Sequence, residues 1–551
     1  MLSWLRTVSL FSLAAMSLAS SSLAKSAVGA GRRGVVWFKD SDLRLRDHRA
    51  LVEAHRTCEA VDHVYCFDAR NFKYIGGVER MSFRRLRFLT ETINDLSRQL
   101  RDRGSSLRVI VGRPEAVIPL FCSESSSVFC SEEVCSEELG VVGAVTNALR
   151  AKGASLKAYW SGYLVDKDDL PFPISRLDTF TSFRKAVEST NVVQKPSLEL
   201  PPMKPPGDGP QGEGAVDEIP GEVDAFAIYE KLMQELGMPL AYDLATMQQD
   251  PRAVLEFKGG ETAALERVEY YCSVGRIDRY KQTRNGMIGG DFSTKLSPWL
   301  ALGAISGRSV HHRVKQFEKE TGIANEDTYW VIFELLWRDY MRFYAIKYGT
   351  RMFKLLGAQG PKASGKYPWR RDEDLFTAWA TGNTGYPFID ANMRELMLTG
   401  FMSNRGRQNV ASFLVRDMGL DWRMGARHFE RYLLDYDPCS NYGNWQYAAG
   451  VGSDPREDRY FNIAKQASSY DPDCSYIKLW CPELKAVSKD LLINPNRLTA
   501  QLRSQYGITK ETYPEPIVPL KHSDFSNKPV SSKDYDRRSK HGGVPGVKVR
   551  R

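Results

Sequence analysis

Acids, amides and a tryptophan are concentrated between residues 435 and 462, DYDPCSNYGNWQYAAGVGSDPREDRYFN. The glycines of this stretch predict an irregular backbone rather than a helix, yet its aromatic and charged side chains are too many for an idle loop. Asp435 and Asp437 can pair with Arg407, hold amide or hydroxyl groups, or bind a metal, although no histidine stands nearby to complete a metal site. The segment from Asn441 to Tyr447 offers polar edges beside flat rings, which suits a large planar cofactor such as a flavin. The alternative is a structural loop that its aromatic residues hold in place.

A second candidate lies at 291–303, DFSTKLSPWLALG, where Ser297 and Pro298 predict the start of a helix. Ser297 is a favourable N-cap residue, and a proline in the first turn loses no hydrogen bond. Ser293, Thr294 and Lys295 come just before it, so hydroxyl groups and an ammonium group would stand beside the free N–H groups of the helix end. That combination favours a phosphate site, and ordinary capping without a ligand is the alternative.

The stretch 326–349, EDTYWVIFELLWRDYMRFYAIKYG, has aromatic residues every three or four positions and predicts a helix. An aromatic stripe of this kind is more often core than binding surface. Glu334, however, shares the stripe with Trp330 and Trp337, and a carboxylate among tryptophans is costly to bury unless it binds something. Arg338 and Arg342 follow at i+4 and i+8, as expected partners for Glu334 or for phosphates.

The elements that must position these residues change character along the chain. Four short runs are typical of strands, with helical stretches between them, most clearly at 79–103; the runs are VVWF (35–38), VYCF (64–67), LRVIVG (107–112) and LKAYW (156–160). This alternation predicts a parallel sheet covered on both faces, and neither G-x-G-x-x-G nor a P-loop accompanies it. Residues 191–225 are rich in proline and glycine and predict a linker. Helical periodicity dominates from 226 to about 500, where Arg405 and Arg407 flank a glycine at the start of one predicted helix.

The net charge of +9 is not spread evenly along the chain. Most of the excess lies in residues 1–33, which contain no acid, and in residues 521–551, so bulk charge is no argument for nucleic-acid binding. The nine cysteines include no C-x-x-C pair, which favours reduced thiols over a zinc or disulfide framework. Residues 1–33, with an early arginine and an apolar, serine-rich middle, are typical of a signal or transit peptide. A leader without function is the alternative.

Together these motifs resemble the photolyase/cryptochrome family, and most closely its cryptochrome DASH branch. The resemblance runs from about 34 to 485 and is carried by YKQTRNGMIGGDFSTKLSPWLALG, FELLWRDYMRFY, GYPFIDANMREL and NWQYAAGVGSDPREDRYFNIAKQ. It implies a photolyase-like architecture, in which a Rossmann-like α/β domain is followed by an all-α domain that binds FAD. The implied boundaries are a targeting leader at 1–33, the α/β antenna domain at 34–165, a connector at 166–225, the helical FAD-binding domain at 226–500 and a basic tail at 501–551, disordered at its end.

The resemblance also implies roles for individual residues. The FAD site matches Tyr280, Ser293, Thr294, Lys295, Leu296, Ser297, Arg338, Arg407, Asp435, Asp437 and Asn441. A tryptophan chain that carries electrons to the photoexcited flavin matches Trp445, Trp422 and Trp369. Contacts to a pyrimidine dimer and its DNA match Glu334, Trp337, Asn404, Arg405, Gln408 and Tyr447. Glu133, in EEVCSEELG, matches the residue that binds an antenna of 5,10-methenyltetrahydrofolate, although WFKDSDLR (37–44) departs from the family pattern near that site. No metal is expected.

The activity that the resemblance implies is light-driven repair of cyclobutane pyrimidine dimers, preferentially in single-stranded DNA, by an electron from reduced FAD. Gln408 and Tyr447 stand where photolyases of duplex DNA have methionine and tryptophan, and a smaller, more polar pocket gains less from stacking a flipped dimer. The alternative is a blue-light photoreceptor that binds nucleic acid with little or no repair. A light-independent flavin oxidoreductase would need a nicotinamide fingerprint, which the chain lacks.

The resemblance and the composition of residues 1–33 also predict the partners and the location of the protein. We expect a monomer with no membrane partner that binds duplex DNA or RNA only non-specifically. The leader predicts import into a plastid or mitochondrion, or a secretory first step on the way there.

Overall fold

The computed structural model describes residues 32–73, 79–190, 192–210, 217–239, 248–365, 368–452 and 460–520. Nearly all of the predicted leader, and residues 521–551 of the predicted tail, lie outside the described residues. Those two assignments therefore stay predictions.

The first part of the chain folds around a five-stranded parallel sheet. Its strands are β1 (Arg33–Phe38), β2 (Ala60–Phe67), β3 (Leu107–Val111), β4 (Ser127–Ser131) and β5 (Ser155–Tyr159), in the order β3-β2-β1-β4-β5. Alternate residues of β1 enter two separate cores, Val35 and Trp37 on one face and Val36 and Phe38 on the other, as the two-residue period of a strand requires. The predicted α/β class is confirmed. Strand β4 is missing from the four predicted strands, because SVFCS is short and lies between serine-rich segments that are typical of loops.

Helices cover both faces of this sheet. They are α1 (Arg49–Thr57), α2 (Phe83–Arg101), α3 (Pro114–Val117) and α4 (Ser136–Ala151). Val117, Val145 and Leu149 of α3 and α4 pack against the face that carries Val35. The opposite face shares one continuous core with α1, α2 and the helical part of the chain. The sheet is therefore joined to the helical domain through an apolar interior.

The connecting region is bound to the sheet along part of its length. It contains α5 (Phe180–Glu188) and leads to α6 (Ala225–Glu235). The N–H of Val61 donates to the carbonyl of Pro205 at 2.9 Å, and the N–H of Ile219 donates to the carbonyl of Val109 at 2.8 Å. Backbone hydrogen bonds on both sides of its undescribed residues 211–216 therefore hold the connector against the first domain.

The rest of the described chain is helical, as predicted. The helices are α7 (Glu261–Ser273), α8 (Tyr280–Thr283), α9 (Ser297–Ala301), α10 (Gly307–Thr321), α11 (Glu326–Tyr348), α12 (Glu373–Ala380), α13 (Pro387–Thr399), α14 (Asn404–Ser412), α15 (Trp422–Tyr432), α16 (Pro438–Ala449), α17 (Ile463–Tyr470), α18 (Ser475–Trp480), α19 (Lys489–Ile493) and α20 (Ala500–Gln505). Helix α11 is the longest of those described, and Asn325 and Thr328 close its start with a reciprocal capping box.

The irregular backbone predicted for 435–462 is wrong over much of the stretch, because Pro438–Ala449 is a regular helix; residues 453–459 of the stretch lie outside the described residues. Asp437 caps it by accepting the N–H of Ser440 at 2.6 Å, and Pro438 occupies the first turn. Helix α11 packs so close to Gly443 that only a glycine fits there: a Cβ at this position would lie 2.5 Å from the sulfur of Met341. Close helix packing explains this glycine, which a sequence pattern alone interprets as a helix breaker.

The predicted tail also begins later than residue 501. Helix α20 (Ala500–Gln505) and the segment after it pack on the helical domain. The N–H of Ile517 donates to the carbonyl of Thr384 at 3.0 Å, and the hydroxyl of Tyr386 donates to the carbonyl of Val518 at 2.6 Å. Residues up to 520 therefore belong to the folded domain.

All nine cysteines are buried free thiols, in agreement with the predicted reduced state. Within the described ranges, no three or more His, Cys, Asp or Glu residues gather in a way that could hold a metal ion. None of the helices in those ranges combines the length and the apolar character that spanning a membrane requires.

Candidate active site

A cavity of about 760 Å³ opens among α9, α11, α14 and α16. Its volume lies within the range of about 300–1,000 Å³ that is usual for cofactor and ligand pockets. Most of the predicted site residues line it: Tyr280, Ser293, Thr294, Lys295, Leu296, Ser297, Glu334, Trp337, Arg338, Asn404, Arg407, Gln408, Asp435, Asp437, Asn441, Trp445 and Tyr447. Trp369, Trp422, Arg405 and Glu133 are not among the residues of its wall.

One end of the cavity is built by the loop that carries residues 293–297. Arg267 of α7 fixes this loop by donating from Nε to the carbonyl of Thr294 at 2.9 Å and from Nη2 to the carbonyl of Gly290 at 2.7 Å. Lys295 adopts a left-handed backbone conformation, with φ of 58°. Its side chain is buried, and its ammonium lies 4.5 Å from the ring centre of Phe401. The loop therefore brings hydroxyl groups and a buried cation to one end of the cavity.

Burial lowers the pKa of Lys295 to about 8, and the charge of Glu395 opposes this shift. The carboxyl of Glu395 is itself buried, which raises its pKa to about 7. An ammonium in this position is poorly compensated by the protein and would gain from an anion such as a phosphate.

Ser297 is not the N-cap that the sequence predicts. It is the first residue of α9, Leu296 occupies the cap position, and no side chain caps the helix. Helix α9 is also only five residues long. Any attraction for a phosphate at this end therefore comes from the side chains of residues 293–297 more than from the dipole of a long helix.

The opposite side of the cavity holds an ion pair between Arg407 and Asp435. Arg407 Nη2 lies 2.7 Å from Asp435 Oδ2, and Arg407 Nε donates to the carbonyl of Met402 at 2.9 Å. Asp435 Oδ1 is buried and accepts no hydrogen bond among the described residues. An acceptor without a partner is unusual in a folded interior. It suits a cofactor edge that carries an N–H group, which is what a flavin offers.

Asn441 lies on the first turns of α16, on the same side of the cavity. Its amide nitrogen donates to the carbonyl of Ala426 at 3.0 Å, which directs the amide oxygen away from that contact. The side chain is thereby held between α15 and α16. An oriented amide oxygen can accept a hydrogen bond but cannot donate one.

The three predicted tryptophans differ in burial, and two of them lie on the neighbouring helices α15 and α16. Trp445 lines the cavity and packs against Gly425 so closely that a Cβ there would lie 2.1 Å from its ring. Trp422 is fully buried and is the first residue of α15, about one turn before Gly425. Trp369 is half-buried, and the residue after it, Arg370, donates its N–H to the carbonyl of Gly419 at 3.0 Å, just before that helix.

Glu334 faces the cavity, but its partner is not one of the arginines that the sequence suggests. It forms an ion pair with Arg284, which directly follows α8. Arg338 instead donates to the carbonyls of Gly162 at 3.0 Å and Leu300 at 2.9 Å. The expectation that Arg338 or Arg342 pairs with Glu334 is wrong, because i+4 spacing gives proximity on a helix but does not set the direction of a long side chain.

Burial raises the pKa of Glu334, and the charge and hydrogen bond of Arg284 oppose this rise. Arg284 was not singled out in the sequence; the signal that could have identified it is TRNG (283–286), which begins three residues after the predicted cofactor residue Tyr280. The tertiary fold, and not local spacing, brings it to Glu334.

Two other predicted dimer contacts, Trp337 and Gln408, are held by neighbouring side chains. Trp337 stacks on Phe180 with ring centres 3.7 Å apart and planes inclined by 12°. Arg405 donates from Nη1 to Gln408 Oε1 at 2.9 Å and from Nη2 to Asn285 Oδ1 at 3.1 Å. Arg405 therefore lies behind the cavity wall and orients Gln408.

Glu133 lies apart from this group, between the sheet and the helical domain. Its Oε1 accepts a hydrogen bond from Ser41 at 2.8 Å and lies 3.9 Å from Lys39, and its Oε2 accepts one from Arg342 at 3.2 Å. The residue is buried. Both carboxylate oxygens are thus engaged by the protein, which ties the two domains together.

Comparisons with known proteins agree with this arrangement. The family model described as DNA photolyase matches residues 34–205, and the one described as FAD binding domain of DNA photolyase matches residues 330–529. The cryptochrome DASH of Gloeobacter violaceus is 44% identical over 519 residues, which cover 92% of this chain and 98% of that protein. The chain belongs to the photolyase/cryptochrome family.

Other relatives place it in the cryptochrome DASH branch. The Oryza sativa subsp. japonica protein named cryptochrome DASH, chloroplastic/mitochondrial, is 42% identical over 536 residues, covering 93% of this chain and 85% of that protein. The crystal structure of a Synechocystis sp. cryptochrome superposes with a TM-score of 0.80 at 41% identity, covering 89% of this chain and 98% of that one. The predicted family and fold are confirmed, and the protein is a blue-light flavoprotein whose cofactor is FAD.

Proposed function

We propose that this flavoprotein repairs cyclobutane pyrimidine dimers with light, preferentially in single-stranded DNA. One observation carries the proposal: a single cavity wall bears both the residues matched to FAD and the residues matched to the dimer. FAD, when bound and reduced, supplies after light absorption the electron that splits the dimer. A substrate in the same cavity as the flavin would receive that electron over a short distance.

The protein's own side chains would bind and orient the two ligands. Lys295 and the hydroxyls beside it would hold the FAD phosphates, and Arg407 with Asp435 would hold the polar edge of the flavin ring. Trp337, fixed by its stack on Phe180, would provide a flat face for the dimer. Glu334 would hydrogen-bond the pyrimidine groups on which charge accumulates.

Single-strand preference would follow from the polar character of the pocket. Tyr447 and Gln408 line it, and Gln408 is held by Arg405. A polar amide and a phenol stack less strongly on a flipped dimer than a methionine and an indole would. Taking a dimer out of a duplex costs a few kcal/mol, and this pocket would offset less of that cost.

The test is repair by the purified, reduced protein under blue light, with one dimer-containing oligonucleotide offered single-stranded and in duplex. Because each 1.4 kcal/mol is a factor of ten, we expect the single strand to be repaired on the order of 100-fold faster at limiting substrate. Equal rates would contradict the single-strand preference but keep the enzyme. Loss of repair on both substrates, with FAD bound, would contradict the repair function.

A blue-light photoreceptor is the second candidate, and the three predicted tryptophans favour it. Trp445 lines the cavity and Trp369 is half-buried, so a chain formed by these residues and Trp422 would deliver electrons to the flavin from outside without any DNA. Dimer splitting does not itself need that route. Light-dependent change in flavin absorbance without repair in the oligonucleotide assay would make this the leading function.

We also propose 5,10-methenyltetrahydrofolate as an antenna, bound near Glu133. The support is the match of EEVCSEELG to the family pattern. The geometry at the carboxylate is unfavourable, since Ser41 and Arg342 already engage its two oxygens. We therefore assign no step to the folate. Near-ultraviolet absorbance of a released pterin, lost in Glu133→Gln, would support it; its absence from protein loaded with folate would exclude it.

For location we propose import into a plastid or mitochondrion, directed by residues 1–33. The support is the acid-free, serine-rich composition of that segment. The name of the rice relative includes chloroplastic/mitochondrial. A fluorescent fusion to residues 1–33 should enter an organelle, and a diffuse fusion would contradict the proposal. We further propose that the protein acts as a monomer and binds duplex DNA or RNA only non-specifically, which sedimentation and salt-dependent binding would test.

A further inference from the structure

Two consecutive residues, Arg284 and Asn285, reach opposite walls of the cavity. Arg284 forms an ion pair with Glu334 on α11. Asn285 Oδ1 accepts a hydrogen bond at 3.1 Å from Arg405 on α14, and that same guanidinium holds Gln408 at 2.9 Å. The turn after α8 therefore links the two helices that carry the predicted dimer contacts. We call Arg284, Asn285 and their two contacts the latch.

The latch occupies polar groups that a substrate would need. The side chain of Glu334 is 32% exposed and that of Arg284 is 15% exposed, and both line the cavity. A carboxylate paired with a guanidinium stays ionised, and an ionised carboxylate only accepts hydrogen bonds. The carbonyl oxygens of a pyrimidine dimer also only accept. In the latched form, Glu334 therefore cannot donate to those oxygens.

Among the described residues that line the cavity, the other cations are engaged away from Glu334. Arg338, on the same helix as Glu334, donates to the carbonyls of Gly162 and Leu300. Across the cavity, Arg407 is paired with Asp435, and the ammonium of Lys295 lies against Phe401. The remaining titratable groups that line the pocket are Asp437, which caps α16, and the phenols of Tyr280, Tyr436 and Tyr447. Burial raises the pKa of Tyr280. Burial raises the pKa of Glu334 most, and Arg284 is the charged group that opposes this rise.

The surroundings of Arg284 suit a phosphate. Residues 276–284, RIDRYKQTR, carry four cations and one acid. Lys281, three residues before Arg284, lies 4.6 Å from the ring centre of Trp330, beside the cavity mouth. Arginine binds phosphate at least as well as carboxylate, through paired N–H groups. A DNA backbone that reached this turn would compete directly with Glu334 for Arg284.

We propose that the latch is a proton-coupled switch that a DNA phosphate opens. Arg284 breaks its ion pair with Glu334 and forms a new one with the phosphate, and it stays positively charged throughout. Glu334, left without its cation in a desolvated pocket, takes up one proton from water and then donates a hydrogen bond to a carbonyl oxygen of the dimer. The switch rests on the proposed repair function and makes Arg284 a positioning residue for it. Substrate binding would thus assemble the donor only when DNA is present.

The test is proton uptake on binding, which activity does not influence. Titration calorimetry with a dimer-containing single-stranded oligonucleotide, repeated in buffers of different ionisation enthalpy at neutral pH, counts the protons taken up. We expect uptake of up to about one proton by the unmodified protein and none by Glu334→Gln. Arg284→Gln should take up less, because burial raises the pKa of Glu334 and the cation that opposes this rise is already gone before DNA arrives. The matched control is Lys281→Gln, which removes a nearby cation outside the latch and should bind more weakly yet keep the uptake.

The outcomes separate the switch from the function it rests on. Dimer binding without proton uptake, or equal uptake by Arg284→Gln and the unmodified protein, would overturn the switch and leave repair standing. No preference for the dimer oligonucleotide over an undamaged one would contradict the repair function itself. Loss of uptake in Lys281→Gln as well would show that the response is general to cations at the mouth, which also overturns the latch.

Discussion

Individual residues in the cavity are held by partners that determine what they can do. Glu334 and Asp435 illustrate the two situations. Glu334 is paired with a cation that a ligand could replace. Asp435 is paired with Arg407, and one of its oxygens has no hydrogen-bond partner among the residues that the structure describes. Predictions at this scale therefore concern single side chains.

Replacement of Glu334 by alanine should abolish repair while FAD remains bound. The flavin contacts matched to the family lie elsewhere on the wall, so only the dimer loses its hydrogen-bonding partner. Repair rate and flavin absorbance of the same preparation check this. Glu326→Ala, a change at the exposed start of the same helix with a side chain that is 65% exposed, should leave both unchanged. Normal repair by Glu334→Ala would refute the assignment of this pocket.

Replacement of Arg407 by alanine should abolish FAD binding and lower the free energy of unfolding. Asp435 is only 4% exposed, and leaving a buried carboxylate without its cation costs about 3–5 kcal/mol of unfolding free energy. Arg423→Ala is the matched control, because Arg423 pairs with Asp421 at the same 2.7 Å and with similar exposure, outside the cavity. Urea unfolding should show losses in both variants, whereas flavin content should fall only in Arg407→Ala. Full flavin content in both would contradict the role of the Arg407 pair.

At the scale of elements, the approach of α15 to α16 determines where the cavity tryptophan lies. Gly425 gives Trp445 the space it occupies. Helix propensity alone predicts that alanine at a helical glycine stabilises by roughly 0.5–1 kcal/mol. Overpacking by one methyl group in a close contact costs about 1–3 kcal/mol. The second effect should win here, since the methyl group would overlap the indole.

The variant Gly425→Ala should therefore be less stable and should photoreduce its flavin more slowly, because the ring of Trp445 is displaced. Gly143→Ala on α4 is the control. No atom of the described residues lies within 4 Å of a Cβ at this position, so the higher helix propensity of alanine should act alone and stabilise the folded protein. Thermal unfolding and the rate of flavin photoreduction report both quantities. A stabilised Gly425→Ala with normal photoreduction would contradict the packing argument.

At the scale of the whole molecule, a buried histidine pair joins the sheet to the connector. His55 Nε2 and His63 Nε2 are 3.0 Å apart, the N–H of Lys204 donates to His55 Nδ1 at 3.0 Å, and Ser105 contacts His63 Nδ1 at 3.1 Å. Desolvation lowers the pKa of His55 to about 4 and that of His63 to about 3. The chain of hydrogen bonds therefore needs both rings neutral.

This pair should make the protein sensitive to acid. Both folded-state pKa values lie below the unfolded value, so stability is complete above about pH 6.5 and is lost as the pH falls towards 4, by about 1.4 kcal/mol per pH unit for each histidine. His63→Gln should therefore show a slope about 1.4 kcal/mol per pH unit shallower than the unmodified protein in urea unfolding. Burial also lowers the pKa of His311, on another element, to about 4, so His311→Gln should reduce the slope independently, and the effects of the two variants should add. An unchanged slope in His63→Gln would contradict the pair's role.

Periodicity and motif spacing in the sequence determined much of the predicted fold of this protein. They were sufficient for the parallel sheet and the helical second half, because strand and helix periods are properties of neighbouring residues. Motif spacing and the family resemblance together named site residues most of which line the cavity. They failed where distant segments decide. The buried strand β4 and the helix at 438–449, whose glycine serves a close helix contact, needed the packed interior to be recognised.

Only the tertiary structure decided which charges meet. The partner of Glu334 is Arg284, 50 residues away, and not the arginine one turn along its own helix. Glu133 is engaged by Arg342 and Ser41 from two different domains. A sequence specifies charges and their local spacing, but an ion pair requires two side chains to converge in space, and for distant residues that depends on how helices pack. The chemistry of the cavity was therefore predictable in kind, whereas the state of its central carboxylate was not.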